Sequence, residues 1–122
     1  MVNEQYRNPY GFINPIKDPK YFAGRHEVLN LKALILFKLS RLKESIECYD
    51  EVLGIDPDND IALYNKACFL AELGDIKEAL KCLEKAIKMN KRSVKLARQD
   101  ESLQKLKNEK RFQELIESKN EL

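Results

Sequence analysis

Residues 60–93 read DIALYNKACFLAELGDIKEALKCLEKAIKMNKRS, and residues 26–59, HEVLNLKALILFKLSRLKESIECYDEVLGIDPDN, lie over them without a gap. Identical residues face each other at Leu29/Leu63, Lys32/Lys66, Ala33/Ala67, Leu36/Leu70, Leu39/Leu73, Lys43/Lys77, Glu44/Glu78 and Cys48/Cys82. Leu42/Ile76, Ile46/Leu80 and Leu53/Ile87 are conservative pairs. A fixed period of 34 residues is the mark of a repeat array, whose units bury their apolar faces on one another. It turns the functional question towards binding surfaces and away from catalysis.

Within each unit the apolar residues recur at helical spacing. Val28, Leu29, Leu31, Leu36 and Leu39 predict a first helix, Ser40-Arg41 a corner, and Leu42, Ile46, Tyr49, Val52 and Leu53 a second helix. Gly54 and Asp56-Pro57-Asp58-Asn59 predict its end and a turn. The second unit is expected to start on Asp60 as N-cap and to run to Leu73. Gly74 then supplies the turn, and Asp75 caps a helix that buries Ile76, Ala79, Leu80, Leu83, Ala86 and Ile87. From about Ser93 the rhythm continues with little sequence identity. Val94, Leu96, Ala97, Leu103 and Leu106 predict one helix, Asn108-Glu109 a turn, and Phe112, Leu115 and Ile116 a short last helix. A terminal unit is often atypical because one side faces water.

Upstream of the repeats the composition changes. Residues 1–25 hold Pro9, Pro15 and Pro19, with Tyr6, Tyr10, Phe12, Ile13, Ile16, Tyr21 and Phe22. The prolines predict an extended or turn-like arm, and its apolar content predicts that it packs on the helices.

The 122 residues suffice for one domain with a thin core, at 43% hydrophobic and 34% charged residues. Twenty-two basic and 20 acidic residues leave a net charge of +2, too little for strong global attraction to nucleic acid or an acidic membrane. No apolar run spans a bilayer, no secretory signal is visible, and an odd count of three cysteines argues against a disulfide framework. A cytoplasmic setting is expected.

The repeat is similar to the tetratricopeptide family in its pattern of bulky and small residues. Unit two carries it at Leu63, Ala67, Leu70, Ala79, Leu83 and Ala86, and unit one at Leu29, Ala33, Leu36, Ser45, Tyr49, Val52 and Pro57. Small residues at Ala33, Ala67 and Ala79 let two helices approach closely. The departures are the lack of Trp, Lys91 where proline is usual, and Val52 where alanine is usual. The resemblance implies an all-α, right-handed array of antiparallel helix hairpins. Its expected parts are an arm over 1–25, repeats over 26–59 and 60–93, and a degenerate capping pair over 94–122. A further resemblance links Asn8-Pro9-Tyr10 and Phe22-Ala23-Gly24-Arg25-His26-Glu27 to the lead-in of archaeal P-loop ATPases. No glycine-rich phosphate loop follows, so no ATPase is expected.

In the tetratricopeptide family the first helix of each hairpin lines a concave groove. The resemblance places Glu27, Asn30, Leu31, Leu34, Phe37 and Lys38 there from unit one. Unit two would add Ile61, Tyr64, Asn65, Cys68, Ala71 and Glu72, and unit three Lys95, Arg98, Gln99, Ser102, Lys105 and Leu106. Exposed Leu31, Leu34 and Phe37 would be adhesive, so a partner's peptide or the chain's own Tyr6–Phe22 segment is expected to cover them. Some family members clamp a C-terminal carboxylate with five groove residues, but only Asn65 and Lys95 match here.

Little in the chain suggests chemistry. His26 stands alone, the cysteines lack a metal-ligand spacing, and no nucleophile elbow or dinucleotide fingerprint is present. No enzyme activity, cofactor or metal is expected. The expected function is protein–protein interaction, as an adaptor or assembly module, with a homo-oligomer through the arm as one form. Two alternatives stay open: a regulatory fragment associated with a P-loop ATPase, and an RNA-associated factor using the basic stretch Lys81–Arg98. Without interleaved aromatics that stretch lacks a stacking platform, and nucleic acid is not the expected partner.

Overall fold

The computed structural model describes residues 22–117, with side chains from His26 onward. Among the described residues six α-helices follow one another: α1 (Phe22–Lys38), α2 (Leu42–Ile55), α3 (Asp60–Leu73), α4 (Ile76–Met89), α5 (Arg92–Gln99) and α6 (Lys110–Glu117). A 3₁₀ segment, Glu101–Leu106, lies between α5 and α6, and the described residues contain no strand. The chain is an all-α array of antiparallel hairpins. α1 packs on α2, α3 on both α2 and α4, and the 3₁₀ segment on α3.

α3 sits at the centre, and its sequence says why. Apolar residues occur all round it rather than on one stripe. Ala62, Leu63, Tyr64, Ala67, Cys68, Phe69, Leu70 and Ala71 are all buried, as expected of a helix packed on several sides, while Ile61 and Leu73 at its two ends stay exposed. α4 keeps one apolar face, burying Ala79, Cys82, Leu83, Ala86 and Ile87. Fully buried Ala67 and Ala79 permit close approach of these two helices. In repeat one Ser45 stands at the position of Ala79. It too is fully buried, and its hydroxyl donates to the Ala33 carbonyl at 2.7 Å.

The corner of each hairpin is built alike. Gly74 adopts φ 96°, and Ser40, one period earlier, adopts φ 62°. The amide after each returns to the preceding helix, Asp75 N–H to Leu70 O at 2.9 Å and Arg41 N–H to Leu36 O at 2.8 Å. This closes the last turn through a left-handed residue. Asp75 then caps α4 by accepting from the Glu78 amide. At the far end Arg111 on α6 grips Glu84 on α4 at 2.9 Å. That hydrogen bond holds the Glu84 carboxyl below the usual carboxylate range.

Three expectations are corrected. The N-cap of α3 is Asn59, which accepts from the Ala62 amide at 2.9 Å; Asp60 is the first helical residue and accepts from Asn90 Nδ2 at 2.8 Å. The single helix expected over 94–106 is broken at Asp100, whose carboxylate accepts the Ser102 amide at 3.0 Å and starts the 3₁₀ segment. α1 begins at Phe22, so residues 22–25, expected as the end of an extended arm, are helical. The rest of that arm lies outside the described residues.

Candidate functional site

The expected inner face lies on α1, α3 and α5. Where α1 meets α3, Asn30 Oδ1 accepts from the Tyr49 hydroxyl at 2.8 Å and from Asn65 Nδ2 at 3.0 Å. Phe37 stacks on Phe69 with ring centroids 4.4 Å apart. Asn30, Asn65 and Phe37 therefore join the two repeats.

Half of the expected groove is closed. The break at Asp100 tips residues 101–106 onto α3, and Leu103 and Leu106 become fully buried. Asp100 Oδ2 accepts from the Tyr64 hydroxyl at 3.0 Å and from Cys68 Sγ at 3.5 Å. Lys105 reaches Glu72, 3.2 Å from its carboxylate and 3.3 Å from its carbonyl. Tyr64 and Cys68, expected on an open surface, are buried under the chain's own third unit. Arg98 is also turned away, donating from Nε to the Ile116 carbonyl on α6 at 2.8 Å. Lys95 and Gln99 remain exposed on α5, and Leu34 on α1 with Lys38 at its end; Leu31, expected in the groove, instead lies with Val28 and Ile35 on the exposed side of α1 opposite buried Leu29, Ala33 and Leu36.

The other half stays open. Towards the N-terminal ends of α1 and α3 lies a cavity of about 170 Å³, lined by His26, Glu27, Asn30, Tyr49, Val52, Asn59, Ile61 and Ala62. A second, of about 260 Å³, is lined by Asp60, Ile61, Tyr64, Asn65, Asn90, Arg92, Ser93 and Leu96. His26, Glu27, Asn30, Asn59 and Ala62 of the first correspond, one period on, to Asp60, Ile61, Tyr64, Ser93 and Leu96 of the second. Ile61, still 58% exposed, stands on the ridge between them. Asn90, Arg92 and Leu96 were not expected here. The break at Asp100 did carry a signal, Arg-Gln-Asp-Glu-Ser at 98–102, in which an Asp can cap a new helical segment.

The tetratricopeptide repeat family pattern matches residues 26–59 and 61–93, more than half of the chain. The chain belongs to the tetratricopeptide repeat family. It is also similar to a chloroplastic protein of Arabidopsis thaliana, with 30% identity over 106 residues. The aligned part covers 84% of this chain and 31% of that relative, so the chain spans about a third of the relative's length. The family match covers residues 26–59 and 61–93, and the resemblance of the N-terminal stretch to archaeal P-loop ATPases is not shown.

Cys48, Cys68 and Cys82 are free and buried. Burial pushes each thiol up from its ordinary value, so none is a ready thiolate nucleophile. Among the described residues no three acidic, cysteine or histidine side chains gather as metal ligands. His26 Nδ1 is buried at the rim of the first cavity without a hydrogen-bond partner among the described residues. No helix among the described residues is long and apolar enough to cross a membrane.

The basic stretch 81–98 is divided by the fold. Lys81 pairs with Glu78, Lys85 with Asp58 and Lys88 with Glu84 at 3.4, 4.0 and 3.6 Å. With Arg98 bound to α6, its cations serve several separate contacts.

Proposed function

We propose that the chain is a protein-binding module that holds an extended partner segment across the N-terminal ends of α1, α3 and α5. The observation behind this reading is the pair of cavities one repeat apart, sharing Ile61. Neighbouring packed helices lie about 8–10 Å apart. In a polyproline II peptide, side chains three residues apart share a face and are separated by about 9 Å. The preferred ligand carries apolar side chains at positions i and i+3, one for each cavity. Asn30, Asn65 and Asn90 supply amide groups for its backbone. The C-terminal unit, over its described residues 94–117, serves as a cap that fills the other half of the groove.

The test uses fluorescein-labelled Pro-rich peptides with two leucines placed two, three or four residues apart, read by anisotropy. The three-residue spacing binds tightest, and Ile61→Asp, at an exposed site, abolishes binding without loss of helicity. Equal binding of all spacings, no binding of any, or indifference to Ile61→Asp overturns the reading.

A further inference from the structure

The outward face of α1 carries Val28, Leu31, Ile35 and Leu39, exposed by 52, 60, 53 and 60%. These residues lie on one side of the helix at steps of three and four. Leu29, Ala33 and Leu36 are buried on α1's inner side, and Asn30 and Phe37 reach α3. The stripe is on the side that remains.

The second repeat shows how the same face is used when covered. Ala62 and Phe69, one period after Val28 and Ile35, are only 2 and 5% exposed, while Asn65, the counterpart of Leu31, is half-buried and Leu73, the counterpart of Leu39, stays 41% exposed beyond the covered part. α2 lies over the covered part: Tyr49 meets Phe69 at 5.5 Å, and Asp50 pairs with Lys66, the counterpart of Lys32, at 2.6 Å. The described array is therefore greasy at its α1 end. The other end is not, because α6 shows Lys110, Gln113, Glu114 and Glu117 to solvent. Stacking α6 of one molecule on α1 of the next would put charge against hydrocarbon, which rules out a head-to-tail chain.

We propose that the occupant of this face is α1 of a second copy, packed antiparallel about a twofold axis near Ala33. Val28 then faces Leu39 of the second copy, and Leu31 faces its Ile35. Charge supports this choice. Exposed Glu27 and Lys38 are eleven residues apart, about 20° around the helix and about 16 Å along it. Both flank the stripe on the same side. A twofold axis across the helices keeps that flank in register, so Glu27 of each copy meets Lys38 of the other. Lys32 lies on the opposite flank, with its stem along the seam and its ammonium in water. The stripe Val28, Leu31, Ile35 and Leu39 lines neither cavity, and Glu27 alone borders both the stripe and the first cavity, so Ile35→Glu tests the dimer without touching the peptide site.

Sedimentation equilibrium of the full chain from low to high micromolar concentration reads the result. The wild type forms a dimer, and Ile35→Glu is monomeric throughout with an unchanged circular dichroism spectrum. Glu27→Lys raises the dimer dissociation constant about tenfold, Lys38→Glu does the same, and the double exchange restores it. A monomeric wild type overturns the proposal, and if removal of residues 1–21 then produces a dimer, the face belongs to the arm. A dimer indifferent to Ile35→Glu, or one that the double exchange fails to restore, also overturns it.

Discussion

The Tyr64 hydroxyl donates to Asp100 at 3.0 Å, tying the middle of α3 to the residue that breaks the third unit. Thirty-six residues separate them in sequence. This contact helps to hold the third unit against α3, because the same carboxylate also holds the Ser102 amide at 3.0 Å and Cys68 Sγ at 3.5 Å.

Replacing Asp100 by alanine removes the cap of the 3₁₀ segment and leaves the buried Tyr64 hydroxyl without its acceptor. The expected loss is about 2–3 kcal/mol in urea unfolding. Cys68 also becomes open to alkylation under native conditions, whereas Tyr64→Phe costs only about 1 kcal/mol and leaves it protected. Equal alkylation in wild type and Asp100→Ala would show that the segment does not depend on this carboxylate.

Ser40→Gly stabilises the chain. Ser40 holds φ 62° where the next repeat places Gly74 at φ 96°, and glycine adopts that region without strain. A gain of about 1 kcal/mol is expected, read as a higher melting temperature. Gly74→Ala has open space around the new Cβ, so its cost of about 1 kcal/mol is purely conformational.

Ala67→Leu overpacks the α3–α4 contact, where both Ala67 and Ala79 are fully buried. The expected cost is about 1–3 kcal/mol. Ser45→Ala, by contrast, reproduces the residue that repeat two already uses. It costs at most about 1 kcal/mol, since the donor leaves with the side chain.

Stability falls at alkaline pH. Burial pushes the Tyr49 hydroxyl up to about 12 from its ordinary value of 10.0, with an interaction from Asn65 pulling the other way. Below pH 10 the folded and unfolded states both keep the proton. As pH rises from 10 towards 12 the unfolded chain releases it first, so the stabilisation drains away, by at most about 3 kcal/mol. Burial raises the Tyr64 hydroxyl as well, so two tyrosines act in the same direction. Tyr49→Phe flattens the fall between pH 10 and 12 in denaturation curves, and an unchanged slope would assign it elsewhere.

The hairpins were legible because their signals are local. Helical spacing of leucines, Gly74 followed by Asp75, and the turn at Asp56–Asn59 each act within a few residues. The groove was legible only in part. The family's positions led to Asn30, Asn65 and Ile61, which do line the open cavities. They also led to Cys68 and Arg98, which the third unit buries or turns away. That unit departs most from the repeat, and a position carried over by counting fails once the helix under it breaks at Asp100.

By itself, the sequence determined that this is a helical repeat, how long each unit is and which small residues let its helices touch, because period and side-chain size are properties of neighbours along the chain. The tertiary structure alone decided which part of the inner face is open. A ligand cavity and a closed core differ only in whether a distant segment lies on top, and the free energy that puts residues 101–106 there belongs to contacts more than thirty residues apart.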